Sequence, residues 1–139
     1  MPQFSGKADD TLVHLSAAQL AFLGDAVYSL LVRGSLVQQP MGLRKMHLQT
    51  TARVNAPAQA RCLGLLLPHL TDVELEYVKQ GRNAHHNSIP KAASHAQYGA
   101  ATGLETLFGY LYISGQEERL EELFGISQAA HTVSSEGVP

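Results

Sequence analysis

The sequence predicts an all-helical domain. Apolar residues recur every three or four positions through most of the chain, and three Ser/Thr-x-x-Gln/Glu patterns stand where helices should begin. No segment alternates apolar and polar residues convincingly enough for a strand. The first helix follows from Ser16 and Gln19, which form a capping box, and from Leu15 and Leu20 at the spacing of a hydrophobic staple. It is expected over about residues 16–36, with Pro40 closing the connection behind it. A second helix starts near Gly42 and carries Leu43, Met46 and His47 at helical spacing. Asn55 followed by Pro57 marks a break and restart, since proline is tolerated in a first helical turn. The third helix presents Ala60, Leu63, Leu66 and Leu67 and stops at Pro68. Thr71 with Glu74 opens a fourth, which Gly81 can end in the left-handed conformation. A fifth is expected over about 94–114, with Leu104, Leu107, Phe108, Leu111 and Tyr112 apolar, and Ser114 with Glu117 offers a third capping box for a last helix ending near Gly125.

A chain of 139 residues suits one domain with an ordinary core. We expect residues 1–14 as an extension, 15–126 as the domain and 127–139 as a mobile tail with little to bury. The single Cys62 cannot form an internal disulfide, and neither an apolar leader nor an apolar run of membrane-spanning length is apparent, so a cytoplasmic protein without a membrane partner is expected. With 6% aromatic residues and no Trp, a stacking platform for single-stranded nucleic acid is disfavoured. No Gly-rich phosphate loop, zinc-ligand spacing or readable nucleophile–base pattern occurs.

The net charge of −2 conceals a segregation along the chain. Between Asp25 and Asp72 there is no acid, but there are Arg33, Arg44, Lys45, Arg53 and Arg61. A second acid-free stretch, between Tyr77 and Leu104, holds Lys79, Arg82 and Lys91 with His85, His86 and His95. Such stretches are either solvated helix faces or a surface for a polyanion.

Three places carry chemistry. In LAFLGDAVY (20–28), Asp25 has Ala21, Phe22, Tyr28 and Ser29 as helical neighbours, so no local cation offsets it. A carboxylate buried there needs a partner from elsewhere, whether an Arg, a backbone donor or a metal. In ATGLETLFGYLYISG (101–115), Glu105 is in the same position, beside Ala101, Thr102, Phe108 and Gly109. Gly24, Gly103 and Gly109 would let the two helices approach and bring the acids together. Facing carboxylates repel unless a cation lies between them, and oxygen-only ligation suits Mg²⁺. Separate ion pairs, for instance to Arg33 or Arg82, are the alternative. Third, RNAHHNSIPK (82–91) reads as a surface loop whose donors suit phosphate and ribose.

These three motifs, in this order and followed by EERLEELF (117–124), resemble the Mini-ribonuclease III family, the branch of ribonuclease III without a separate double-stranded-RNA-binding domain. The resemblance covers about residues 12–125. It implies a ribonuclease III-like, all-α homodimer that hydrolyses double-stranded RNA with Mg²⁺ in the maturation of large-subunit ribosomal RNA precursors, with a ribosomal protein as a conceivable presenter of the substrate. Asp25 and Glu105 fall on the family's catalytic, metal-holding acids. Lys79, Arg82, Asn83, His85 and Lys91 become the candidate RNA contacts. Larger ribonuclease III enzymes carry further acids where this chain has Ala18, Ala21 and Thr102, which implies a metal with fewer protein ligands. That loss keeps a second expectation in view, a non-catalytic RNA-binding or ribosome-assembly protein on the same scaffold.

Overall fold

A computed structural model describes residues 14–84, 94–129 and 131. Six α-helices make up the described fold: α1 (Ala17–Val37), α2 (Leu43–Val54), α3 (Ala56–Leu66), α4 (Asp72–Arg82), α5 (His95–Ile113) and α6 (Glu117–Ser127), with a 3₁₀ turn over Leu67–His69. No strand occurs among the described residues. The helix starts follow local chemistry. Ser16 and Thr71 form the expected capping boxes, Ser94 with Gln97 adds another, and Asn55 caps α3 by accepting from the Ala58 amide at 2.9 Å.

Three expected boundaries are corrected. Ser114 is the C-cap of α5 rather than the start of α6, because Gly115 takes φ +76° and the Gly115 and Gln116 amides donate back to the Tyr112 and Leu111 carbonyls at 3.1 and 2.9 Å. That reverse-turn pattern is the usual left-handed exit from a helix. The N-cap of α6 is Gln116, which makes no side-chain capping bond, and α6 runs to Ser127 rather than stopping near Gly125. Gly81 does not end α4 in the left-handed region either: the helix continues through it to Arg82 and closes on Asn83 at φ −88°. Its lack of a side chain serves packing, since a Cβ there would lie 2.8 Å from the Gly103 Cα and 2.9 Å from the Thr102 carbonyl oxygen.

α5 is the central helix, packed by α1, α3 and α4. Leu104, Leu107, Phe108 and Leu111 are fully buried on it, against Tyr28 and Val32 of α1 and Cys62, Leu63 and Leu66 of α3. Tyr28 meets the edges or faces of Phe108 and Phe124 at ring separations of 5.5 and 6.0 Å. By length and composition α1 could cross a membrane, contrary to the expectation that no run was long enough. Its Leu20, Val27, Tyr28, Val32 and Leu36 are nevertheless spent on the helical core. The chain after α6 is tied back to that core: Gln128 donates to the Tyr28 hydroxyl at 3.1 Å, and the His131 ring lies 3.7 Å from the buried Cys62 sulfur.

Candidate active site

Close passage of α1 over α5 creates the site. A Cβ on Gly24 would overlap the Glu105 carbonyl oxygen, and one on Gly109 would overlap that of Leu20, so the two helices touch backbone to backbone at this crossing. Asp25 follows Gly24 directly, and its side chain hydrogen-bonds that of Glu105. The pairing requires a proton. Burial, then the charge of Asp25, then the hydrogen bond itself push the Glu105 carboxyl up to about 8.

The surroundings differ from those the sequence suggests. Asp25 is solvent-exposed, not sealed among apolar neighbours, and Glu105 is half-buried. The cost of desolvation falls on the glutamate, while the aspartate reaches it from the rim. Neither acid forms an ion pair with Arg33 or Arg82; the ion pairs among the described residues are those of Arg119 with Glu74 and Glu122.

The two acids lie in a cleft of about 520 Å³. Ala18, Ala21 and Phe22 line it from α1, Val54 to Pro57 and Gln59 from the α2–α3 junction, and Tyr98, Ala101 and Thr102 from α5. The small residues Ala18, Ala21 and Thr102 thus open the space that longer acids would fill. No group of three or more His, Cys, Asp or Glu side chains suited to a metal occurs among the described residues. A cation here would take two protein carboxylates and draw the rest of its shell from water or substrate, a habit of Mg²⁺.

The expected RNA contacts divide. Lys79, Arg82 and Asn83 are exposed at the C-terminal end of α4, and the Arg82 stem lies over Gly103 of α5, two residues from Glu105 in sequence. None of the three lines the cleft itself. His85 and Lys91 lie outside the described residues. Of the basic residues in the first acid-free stretch, Arg33, Arg44, Lys45 and Arg61 are exposed, whereas Arg53 is half-buried and donates to the Gln128 side chain at 3.3 Å.

The model of the ribonuclease III domain matches residues 18–116. The chain belongs to the ribonuclease III family. Within this family it is similar to the Mini-ribonuclease 3 of Symbiobacterium thermophilum, 45% identical over 105 residues that cover 75% of this chain and 81% of that one. Mini-ribonuclease 3 of Brevibacillus brevis is 46% identical over 120 residues, 84% and 87% of the two chains. The fold also superposes on an X-ray structure of a Fusobacterium nucleatum protein with a TM-score of 0.79 at 25% identity, covering 86% of this chain and 97% of that one. The chain is therefore an endoribonuclease of the ribonuclease III type, which sets aside the non-catalytic reading of the scaffold.

Sequence reasoning missed Gln59. It is 3% exposed in the cleft, and its Nε2 has no hydrogen-bond partner. A signal existed: Cys62, Leu63 and Leu66, at the i+3, i+4 and i+7 positions from Gln59, form an apolar stripe that a glutamine interrupts.

Proposed function

We propose that this ribonuclease III domain cleaves double-stranded RNA with Mg²⁺ held by Asp25 and Glu105, acting as a homodimer in the maturation of large-subunit ribosomal RNA precursors. The observation that carries the reading is the proton-sharing carboxylate pair in an open cleft. A pair that must hold a proton to coexist is a pair that a cation can bridge in the proton's place.

Bound there, Mg²⁺ supplies Lewis acidity and neutralises phosphate charge in the phosphodiester hydrolysis, which leaves 5′-phosphate and 3′-hydroxyl ends. The residues do the rest. Asp25, exposed at the rim, would be the other carboxylate holding the ion and is the one open to the incoming backbone. Glu105, anchored on the central helix, would hold the ion in its deprotonated form. Lys79, Arg82 and Asn83, with His85 and Lys91, would hold the duplex by its phosphates, so recognition depends on shape and charge rather than on base edges.

Support for a homodimer comes from α1. Phe22, Leu30 and Val37 are 85%, 52% and 66% exposed along one stripe of that helix, beside the cleft. A second copy packed there would set two clefts against opposite strands of one duplex, each cutting one. A ribosomal protein that presents the precursor would act through the RNA.

The deciding experiment incubates the protein with a labelled RNA duplex, with Mg²⁺ or with EDTA. Cleavage confined to the Mg²⁺ arm, with 5′-phosphate products, is expected, and its loss in a folded Asp25→Asn protein should follow. A fully active Asp25→Asn protein would overturn the assignment of the acids. Equal cleavage in EDTA would overturn that of the metal.

A further inference from the structure

Resting on the reading of this cleft as an RNA-cleaving site, we propose that Gln59 is a substrate-binding residue, whose carboxamide donates to a phosphate or ribose oxygen of the RNA once the duplex enters. The argument starts from its isolation. Gln59 sits one turn into α3 on the face that carries Cys62, Leu63 and Leu66, all fully buried, and is itself 3% exposed. Its Nε2 is buried without a hydrogen-bond partner. A buried amide left unpaired destabilises a fold, and a methionine of similar shape would avoid that cost.

Among the described residues, the other polar groups of the cleft are already engaged. Asn55 accepts from the Ala58 amide and donates to the Thr51 and Ala52 carbonyls at 3.0 and 3.1 Å. Thr102 donates to the Tyr98 carbonyl at 3.0 Å, and Asp25 and Glu105 bind each other. Gln59 thus keeps donor capacity where the fold makes no use of it.

Charge explains why the donor is an amide. Among the described residues, the cleft lining contains no Lys or Arg. An arginine at position 59 would pair with the two acids, as Arg119 pairs with Glu74, and would occupy the place of a cation. A neutral carboxamide can meet an RNA oxygen without competing for the carboxylates. Its donors complement an anionic phosphate, and such bonds to charged groups are the stronger kind.

The test compares the full chain with Gln59→Met and Gln59→Glu. Duplex RNA affinity is measured in EDTA, cleavage in Mg²⁺, Mn²⁺ affinity without RNA by calorimetry, and thermal unfolding and sedimentation on each protein. For Gln59→Met we expect an unfolding midpoint at or above that of the wild type and the same oligomeric state. Its RNA affinity should fall roughly tenfold or more, with cleavage falling in step. Gln59→Glu should bind RNA more weakly still, because a third carboxylate faces the phosphates. Unchanged RNA affinity and cleavage in Gln59→Met would overturn the proposal. So would a lowered midpoint that accounts for the lost activity, which would make Gln59 a packing residue. A shift of Gln59→Met towards monomer would assign the amide to a second copy of the chain, and weakened Mn²⁺ binding with intact RNA affinity would assign it to the ion's water shell; either result overturns the RNA contact. Failure of the wild-type protein to bind or cleave the duplex would instead bring down the underlying reading, and this proposal with it.

Discussion

Glu74 and Glu105 are both glutamates held against α-helical surroundings, and the protein treats them in opposite ways. Glu74 is 4% exposed yet fully provided for: Arg119 donates from Nε and Nη2 at 2.9 and 2.8 Å, and the Thr71 amide adds a bond at 2.9 Å. Those partners, Arg119 first, hold its carboxyl below the ordinary range. Glu105 is less buried, yet its neighbour is another acid and its carboxyl is pushed up to about 8. Glu74 is supplied with a guanidinium; Glu105, to which the proposed function assigns chemistry, is not. An unrelieved, pKa-shifted carboxyl in a cleft is the pattern expected of a functional site, which is why the proposed cation and substrate are placed there.

The sharpest way to break this contrast is to remove each acid pair's key member. Asp25→Asn and Glu105→Gln should each lower cleavage by about a hundredfold or more, the scale of losing a main electrostatic contributor to phosphoryl chemistry. Neither should lower the unfolding midpoint at about pH 8, where Glu105 ionises beside Asp25 and either substitution relieves the repulsion between them. Duplex cleavage and thermal unfolding on the same preparations check both halves. A variant that unfolds early would place these acids with Glu74, as parts of the scaffold.

Arg119→Ala should do the reverse. It strands Glu74 as a buried charge, which costs about 3 kcal/mol in denaturant unfolding, the low end for such a broken pair because Arg119 is partly exposed. Cleavage per folded molecule should stay near wild type. Loss of cleavage without loss of stability would show that the ion pair, which does not line the cleft, also shapes the site.

Without divalent cation, pH separates the two glutamates by sign. Glu105 ionises near 4.5 when ordinarily solvated and near 8 in the fold, so between those values the native state holds the extra proton. Its contribution to stability is complete below about 4.5 and declines as pH rises to about 8. Glu74, with its lowered value, contributes above the ordinary carboxylate range and loses that contribution as pH falls through its folded value. Glu105→Gln should therefore flatten the decline on the alkaline side, and Arg119→Ala the one on the acid side. Mg²⁺, competing with the shared proton, should raise the unfolding midpoint more at pH 8 than at pH 6. Unfolding curves across this range measure all three.

Much of this was legible in the sequence because helices announce themselves locally. Ser16, Asn55 and Thr71 mark the starts of α1, α3 and α4, and the solitary acids Asp25 and Glu105 stood out against apolar neighbours. What was not legible depends on distance in the chain. Glu74 and Arg119 are separated by 45 residues, so nothing near either showed that the first was neutralised by the second. Gly81 near a helix end looks the same whether it turns the chain or admits a neighbour, and only the approach of Gly103 tells the two apart. Gln59 was lost because an uncharged side chain barely disturbs an apolar period, although its unpaired amide is conspicuous once the cleft is formed.

The smallest expected effect lies on α4, which begins beside the satisfied pair and ends beside the unsatisfied one. Glu74 in its first turn fixes the helix to Arg119 of α6, and its last turns carry Lys79 and Arg82 to the surface beyond Gly103 of α5. The scaffold pair thus fixes the helix whose last turns carry these cations, while the cleft acids are the ones to which the proposed function assigns the chemistry. Lys79→Ala and Arg82→Ala should each weaken duplex binding modestly and reduce the slope of log affinity against log salt by about 1, with no preference for sequence. Cleavage at saturating RNA should stay close to wild type, because neither side chain lines the cleft. Arg119→Ala offers the internal control: if the ion pair positions α4, the salt slope should shift slightly there too, although Arg119 does not line the cleft. A slope unchanged in Lys79→Ala and Arg82→Ala alike would detach the end of α4 from the duplex and move the phosphate contacts to Arg33, Arg44, Lys45 or Arg61.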